Sequence, residues 1–304
     1  MPNSASPLII EVAVSQAKAR DEQTNSLYGP SLASARESLD AGASIIHFHQ
    51  DLHLTQQEQI DQIVRMHKEI LFTHPHAIMY SAPLLNEDTL WEINAHYPVL
   101  AEAGCLSMIS MEMGLTMVPT LNPEGLPNGE WVNGHRFSEC DDVLTFARKH
   151  RAPLSLGIYN PAMCYWIREY AERSLIPTGS MIKIWMGGRY QNWSNRKPGV
   201  AFALKQTIKA LDAYLEALEG VDLPWTVAGL GDNILDSPVA RYALEKGGHI
   251  RVGQEDVAGT SDLSNSELVQ AVIELAYSAG REVVSGAAAK AFLGLDREPA
   301  MQTA

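Results

Sequence analysis

The segment SIIHFHQD, residues 44–51, ends an apolar run with two histidines, His47 and His49. If the run is a β-strand, both side chains point to one face, because residues two apart in a strand share a face. Two neighbouring imidazoles suit a divalent metal ion. The alternative is a pair of core histidines bonded to backbone or water, and the spacing alone leaves both interpretations open.

A catalytic zinc ion needs a third protein ligand and an open coordination position. The segment GGHIRVGQEDVAG, residues 247–259, supplies Glu255 and Asp256 directly after an apolar run. In a barrel the last and second strands both flank the first, so a carboxylate there can reach His47 and His49. A solvated acidic turn is the alternative, and two histidines with a carboxylate also suit non-haem iron. Three other side chains compete as ligands: Asp51, His53 and His249.

Arg251 lies inside the same apolar run. A buried arginine is costly unless it is paired. It can hold Asp256, bind a substrate carboxylate or form a structural salt bridge, and we favour a functional role.

Short apolar runs alternate with longer helical patterns along the chain. The predicted strands cover 7–14, 44–49, 76–81, 105–111, 152–159, 180–186, 224–229 and 249–253. Alternating β and α units predict an α/β fold with a parallel sheet, here closed into a (β/α)8 TIM barrel. An open doubly wound sheet is the alternative, but no GxGxxG follows the first strand. We expect one barrel domain over residues 1–304, with a loop insertion near 114–136 and a short C-terminal helix.

Helical patterns fill the intervals between the strands. They cover 31–43, 55–74, 87–104, 139–150, 163–174, 200–220, the region near 236–246, and 264–279. Thr55 is a predicted N-cap, and Pro98 should kink or break the third helix.

Composition narrows the class of protein. The chain has 304 residues, 46% of them hydrophobic, and a net charge of −13 without a basic block, which argues against a nucleic-acid partner. Three scattered cysteines fit a reducing cytoplasm better than a disulfide framework. The sequence has no basic segment followed by an apolar run near its start, so we expect no signal peptide. It has no run of about 18 apolar residues, so we expect no membrane-spanning helix.

Several segments together resemble the β-keto acid cleavage enzymes. They are, in order, PLII, AGASIIHFH, SMEMG, WTVAGLG, GGHIRVGQED and AGREVVS…AFLGL, which extend from about Pro7 to Leu295. The resemblance implies a (β/α)8 barrel, usually a homotetramer. It also implies zinc bound by His47, His49 and Glu255. The family reaction uses acetyl-CoA and a β-keto acid and gives acetoacetate and a new CoA thioester.

The resemblance also implies roles for other residues. Arg251 and Asp256 correspond to the family residues that activate the β-keto acid. Ser81 corresponds to a substrate-contacting serine, although Ala82 and Pro83 replace the glycines that follow it. Two further serines, Ser107 and Ser110, are assigned to the end of the fourth strand as substrate contacts, with structural hydroxyls as the alternative.

The chain departs from the family in its predicted substrate pocket. Ser155 and Gly157 stand where the fifth strand of typical members carries two glutamates. Lys18 replaces the acid that members with amino substrates carry after the first strand. A neutral or anionic substrate tail therefore fits better than a cationic one.

The polar loop 187–199 follows the predicted sixth strand. Arg189, Arg196 and Lys197 offer contacts for a CoA phosphate, but a solvated loop is the slightly favoured interpretation. Tyr190 or Trp193 can close over a ligand or serve a subunit interface.

Three hypotheses about function remain. The leading one is a zinc-dependent enzyme that cleaves or condenses a β-keto acid with acetyl-CoA. The second keeps the metal ion but changes the reaction to that of an aldolase, hydrolase or isomerase on a small oxo-acid. The third is a non-catalytic barrel that binds a metabolite.

Overall fold

A computed structural model of the chain describes residues 6–16, 26–84, 93–129, 132–191, 196–199 and 202–296. Within these ranges eight parallel strands form a nearly closed barrel. They are β1 (Ile10–Ala13), β2 (Ile45–Phe48), β3 (Ile78–Ser81), β4 (Ile109–Glu112), β5 (Leu154–Ile158), β6 (Met181–Gly187), β7 (Trp225–Leu230) and β8 (His249–Val252). The predicted TIM barrel is confirmed.

The hydrogen-bonded order of the strands is β3-β2-β1-β8-β7-β6-β5-β4. Strands β3 and β4 therefore face each other where the barrel closes. The Met79 backbone N–H donates to the Ser107 hydroxyl across this seam, at 3.1 Å. Because β8 and β2 both pair with β1, residues at the carboxyl ends of all three strands come together.

Nine helices lie within the described ranges. They are α1 (Tyr28–Asp40), α2 (Gln56–Thr73), α3 (His96–Glu102), α4 (Phe137–His150), α5 (Pro161–Glu172), α6 (Ile208–Ala217), α7 (Pro238–Glu245), α8 (Asn265–Ser278) and α9 (Gly286–Phe292). Most lie within a few residues of the predicted positions. Two short antiparallel ladders separate β4 from α4, one between Gly114–Met117 and Val132–His135 and one between Thr120–Leu121 and Pro127–Asn128.

Local sequence explains where helices begin. Thr55 is the N-cap of α2, as predicted, and it forms a capping box with Glu58. Pro98 lies in the first turn of α3, where proline is tolerated, so it does not break this helix, and the first six residues of the predicted helix lie outside the described ranges. The observed α6 is shorter than the predicted helix and begins at Ile208, with Thr207 as its cap.

Apolar residues fill two regions. The larger core lies between the sheet and the surrounding helices. A smaller cluster fills one end of the barrel interior and contacts α9, and its members on the strands or next to them include Ile9, Ile45, Ile78, Met108 and Met181. The paired buried charges of Glu11, Lys183 and Arg251 lie instead in the other part of the interior, toward the carboxyl ends of the strands, where barrel enzymes bind their substrates.

The cysteines and the helices can be compared with what the composition predicts. Cys105, Cys140 and Cys164 are free and buried. Among the described helices, none is both long and apolar enough to cross a membrane.

Helix α2 provides a test of the larger core. Ile63 is fully buried, whereas Phe72 in the same helix is 89% exposed. We expect Ile63→Ala to lower the free energy of unfolding by about 2–5 kcal/mol, because it removes buried apolar atoms and leaves a cavity. Phe72→Ala, the matched control, should change it by less than about 0.5 kcal/mol. Urea denaturation measures both, and equal losses would contradict this packing.

Candidate metal centre

The structure brings His47, His49 and Glu255 together at the mouth of the barrel. The imidazole Nε2 atoms of His47 and His49 lie 3.3 Å and 3.1 Å from the same carboxylate oxygen, Glu255 Oε1. One ligand atom from each residue lies within 4.8 Å of the other two, and all three residues are buried. The two histidines lie at the end of β2, and Glu255 lies in the turn after β8. Both strands pair with β1, which brings their carboxyl ends close together.

This arrangement fits a divalent metal ion. Ligands of a tetrahedral zinc ion lie about 3.3 Å apart, since each bond is about 2.0–2.1 Å long. Glu255 Oε2 is buried and has no hydrogen-bond partner among the described residues, so the carboxylate is not fully used by the protein. The described cluster could therefore hold a metal ion, and its donor set of two imidazoles and one carboxylate leaves room for a further ligand.

Protonation states favour metal binding as well. Burial lowers the pKa of His47 to about 3, so its imidazole is neutral near pH 7. Burial alone would raise the pKa of Glu255, but the imidazoles of His49 and His47 hold it below its ordinary value. A neutral imidazole and an ionised carboxylate are the forms that bind metal ions.

Arg251 connects this cluster to the barrel interior. Its guanidinium donates to both carboxylate oxygens of Asp256, at 2.8 and 2.9 Å, and to Glu11 Oε1 at 2.9 Å. It also lies 3.3 Å from Glu255 Oε1. The side chain is 1% exposed and its guanidinium carbon lies 4.7 Å from the Trp185 ring centre. Arg251 is therefore paired, as a buried arginine must be, and its partners include the predicted Asp256.

Sequence reasoning missed three polar residues beneath the metal cluster. Lys183 Nζ donates to Tyr80 Oη at 2.6 Å, and the Tyr80 hydroxyl donates to Glu11. Although burial acts in the other direction, the charges of Lys183 and Arg251 lower the pKa of Glu11 to about 2. Two of these residues could have been found from the sequence, because each is a single charged residue inside an apolar run: Glu11 in IIEVAV and Lys183 in MIKIWM.

Asp256 differs electrostatically from its neighbours. Burial raises its pKa to about 6, although Arg251 acts in the opposite direction. A carboxyl group with a pKa just below neutral is suited to accept a proton, because a general base works best near the operating pH.

The predicted substrate-contacting serines have different environments. Ser81 ends β3, is buried, and its hydroxyl has no hydrogen-bond partner among the described residues. Ser110 lies within β4 and is 5% exposed. Ser107 precedes β4 and accepts a backbone hydrogen bond at the seam, so its predicted position at the end of the strand is wrong. The apolar run CLSMISM extended the predicted strand too far toward its N-terminal side. Lys18 lies outside the described residues.

The competing ligands lie elsewhere. Asp51 accepts hydrogen bonds from Ser26, Gln62 and the Leu27 backbone, and so fixes the start of α1. His53 is exposed. His249 Nδ1 accepts from the Ile9 backbone at 3.0 Å, inside the barrel end that α9 covers.

The loop after β6 is only partly described. Arg189 is paired with Asp232, with Nη2 and Oδ1 at 2.9 Å, and Arg196 donates to the Gly259 carbonyl. Lys197 is exposed. Trp193 lies outside the described residues. These two arginines thus have protein partners.

The metal cluster can be tested directly. We expect the purified chain to bind about one divalent metal ion, and His47→Ala with His49→Ala to abolish this binding, because one carboxylate alone holds such an ion weakly. His53→Ala is the matched control, since this histidine is close in sequence but exposed, and it should keep full metal content. Inductively coupled plasma mass spectrometry measures the content. Wild-type protein that stays metal-free after dialysis against zinc would contradict the assignment.

Curated relatives match only parts of the chain. A 3-oxoadipate:acetyl-CoA acetyltransferase from Cupriavidus necator is 38% identical over 103 residues, which are 32% of this chain and 36% of the relative. A 3-keto-5-aminohexanoate cleavage enzyme from Fusobacterium nucleatum is 40% identical over 77 residues, 24% of this chain and 28% of the relative. The matched segments thus span about a third of these relatives or less.

Solved structures share the fold. ObcA in complex with oxaloacetate superposes with a TM-score of 0.63 at 14% identity, over 87% of this chain and 66% of that chain. The dihydropteroate synthase of Yersinia pestis, bound to a pterine-sulfa conjugate, gives a TM-score of 0.50 at 16% identity, over 91% and 94% of the two chains. At these identities the likeness shows the fold alone.

The family assignment has broader coverage. The sequence pattern of one family, the beta-keto acid cleavage enzymes, matches residues 7–295, and this range includes every residue of the metal cluster and of the Arg251 network. The chain belongs to the beta-keto acid cleavage enzyme family.

Proposed function

We propose that this chain is a zinc-dependent enzyme that cleaves a β-keto acid with acetyl-CoA and releases acetoacetate and a new CoA thioester. The observation that carries the proposal is the cluster of His47, His49 and Glu255 next to the Arg251–Asp256 pair. Family membership and the names of the curated relatives, which include an acetyl-CoA acetyltransferase, support it.

The charge balance of the site supports an anionic substrate. Among the five buried groups that form ion pairs here, Glu11, Glu255 and Asp256 oppose Arg251 and Lys183, which leaves one excess negative charge. Such an excess is costly in a low dielectric. A divalent cation would turn it into one excess positive charge, which attracts the carboxylate of a β-keto acid.

The chain's own residues account for the acid–base work. Breaking a carbon–carbon bond next to a ketone develops negative charge, and a bound divalent metal ion would supply Lewis-acid stabilisation of that charge. Asp256 takes a proton from the carbon between the keto and carboxylate groups, and this carbon attacks the thioester carbonyl of acetyl-CoA and releases the CoA thiolate. The thiolate then attacks the original keto carbon, which breaks the carbon–carbon bond and forms the new CoA thioester. Protonated Asp256 returns the proton to the departing carbon, which gives acetoacetate. Arg251 holds this base in one orientation through two hydrogen bonds and thereby lowers the cost of reaching the reactive geometry.

The identity of residue 18 favours one class of substrate. By the family resemblance Lys18 replaces the acid of members with amino substrates, and a cation at that position would attract an acidic substrate tail and repel an ammonium group. We therefore infer that a dicarboxylic β-keto acid such as 3-oxoadipate is a better substrate than 3-keto-5-aminohexanoate. A cytoplasmic location and a tetrameric assembly stay predictions.

Turnover of defined substrates tests the proposal. Zinc-loaded protein incubated with acetyl-CoA and a panel of β-keto acids, including 3-oxoadipate and 3-keto-5-aminohexanoate, should form acetoacetate only when both substrates are present. The variant His47→Ala should lose this activity, and His53→Ala should keep it. Failure of every β-keto acid in the panel would refute the proposal and favour another metal-dependent reaction or a binding role.

The role of Asp256 predicts a pH dependence. A base must be deprotonated, so kcat/KM should be constant well above pH 6 and should fall as the pH decreases through about 6, where this carboxyl group gains its proton. Asp256→Asn keeps the shape but cannot accept the proton, so we expect a loss of about 100-fold or more and no acidic limb near pH 6. An unchanged pH profile in this variant would assign the base to another residue.

A further inference from the structure

A fourth carboxyl group, outside the metal cluster, lies at the mouth of the barrel. Glu112 is the last residue of β4 and pairs in register with Gly157 of β5, which in turn pairs with Lys183 of β6. Ser155, two residues before Gly157, directs its hydroxyl toward Lys183 inside the barrel, so position 157 faces the same interior. The side chain of Glu112 extends into the space above this glycine.

The absence of a side chain at position 157 is what admits this carboxyl group. A Cβ atom added to Gly157 would lie 2.6 Å from Glu112 Cδ and 2.7 Å from Oε1, which is closer than real contacts of this kind. Backbone conformation does not require glycine here, since Gly157 is not among the residues with positive φ. The glycine is therefore explained by the space that the Glu112 carboxyl group occupies.

The protein leaves this carboxyl group incompletely bonded. Oε2 of Glu112 is buried and has no hydrogen-bond partner among the described residues. Burial raises the pKa of Glu112, although the charge of Lys183 and a hydrogen bond from Tyr159 oppose the shift. Arg251 and Glu11 also face it. A buried carboxyl group of this kind retains its proton more readily and then has an O–H donor without an acceptor.

We infer that Glu112 is a substrate-contacting residue whose carboxyl group donates a hydrogen bond to an oxygen of the bound β-keto acid, and that Gly157 is required to admit it. The inference rests on the proposed function, because the acceptor is an oxygen of the substrate. Unsatisfied buried polar atoms are rare in folded proteins and are expected where a ligand completes the bonding. The carboxyl group at this side of the barrel mouth is thus supplied by Glu112 of β4, because the neighbouring strand β5 has no acidic residue.

Two replacements of Glu112 separate a substrate contact from a structural role. Glu112→Gln retains an N–H donor of the same shape, so kcat/KM should stay within about 5-fold of wild type. Glu112→Met keeps the length but has no donor, and loss of a hydrogen bond to a charged acceptor should lower kcat/KM about 10- to 100-fold. Glu112→Met also removes the acceptor of the Tyr159 hydroxyl, so kcat/KM is compared at a temperature where circular dichroism shows both variants to be fully folded.

Gly157→Ala tests the same inference without altering the carboxylate. The new methyl group displaces Glu112, so kcat/KM should fall about as far as in Glu112→Met, with metal content unchanged. Gly29→Ala is the matched control, because a Cβ there meets open space, and it should leave activity unchanged.

The outcomes are distinguishable. Full kcat/KM in Glu112→Met or in Gly157→Ala would overturn this inference alone, as would equal losses in Glu112→Met and Glu112→Gln. A loss of activity in Glu112→Met that only matches its loss of folded protein at the assay temperature would assign Glu112 a structural role. Absence of turnover by the wild-type protein would instead overturn the proposed function, and this inference with it.

Discussion

The buried guanidinium of Arg251 is the interaction on which the arrangement of the site depends. It contacts carboxylates from β1 and from the turn after β8, and its planar group bonds both oxygens of Asp256 at once. Without this cation, Glu11, Glu255 and Asp256 would be buried close together with only Lys183 to oppose them. Mutual repulsion and the cost of desolvation would then separate the base from the metal ligands.

The barrel satisfies two opposing requirements along the same strands. Near one end, apolar side chains such as Ile45 and Met181 fill the interior and contact α9. Toward the carboxyl ends, the interior positions carry Glu11, Tyr80 and Lys183, which are bonded to one another. Polar atoms can be buried here because they satisfy each other, whereas the apolar end supplies free energy through burial alone.

Glycine and glutamate occupy neighbouring strands of the mouth in a way that changes its chemistry without changing the fold. Gly157 leaves space on β5, and Glu112 of β4 fills it. The carboxyl group in this part of the interior therefore comes from β4 and not from β5. The choice concerns side chains on β4 and β5, whereas the metal cluster is built from β2 and from the turn after β8.

The linear sequence by itself determined the alternation of strands and helices, the N-cap at Thr55 and the shared face of His47 and His49. These features depend on local periodicity and on residues a few positions apart, so a sequence contains them directly. Strand ends were less well predicted, and Ser107 was misplaced because its apolar surroundings resemble a strand.

Only the tertiary structure decided the partners of Arg251, the network of Glu11, Tyr80 and Lys183, and the place of Glu112 above Gly157. These residues lie on different strands, and Glu11 and Arg251 are 240 positions apart. A single charge within an apolar run signals a buried charge but cannot name its partner. Closure of the barrel sets which strands are neighbours and in which register, and the partner follows from that geometry.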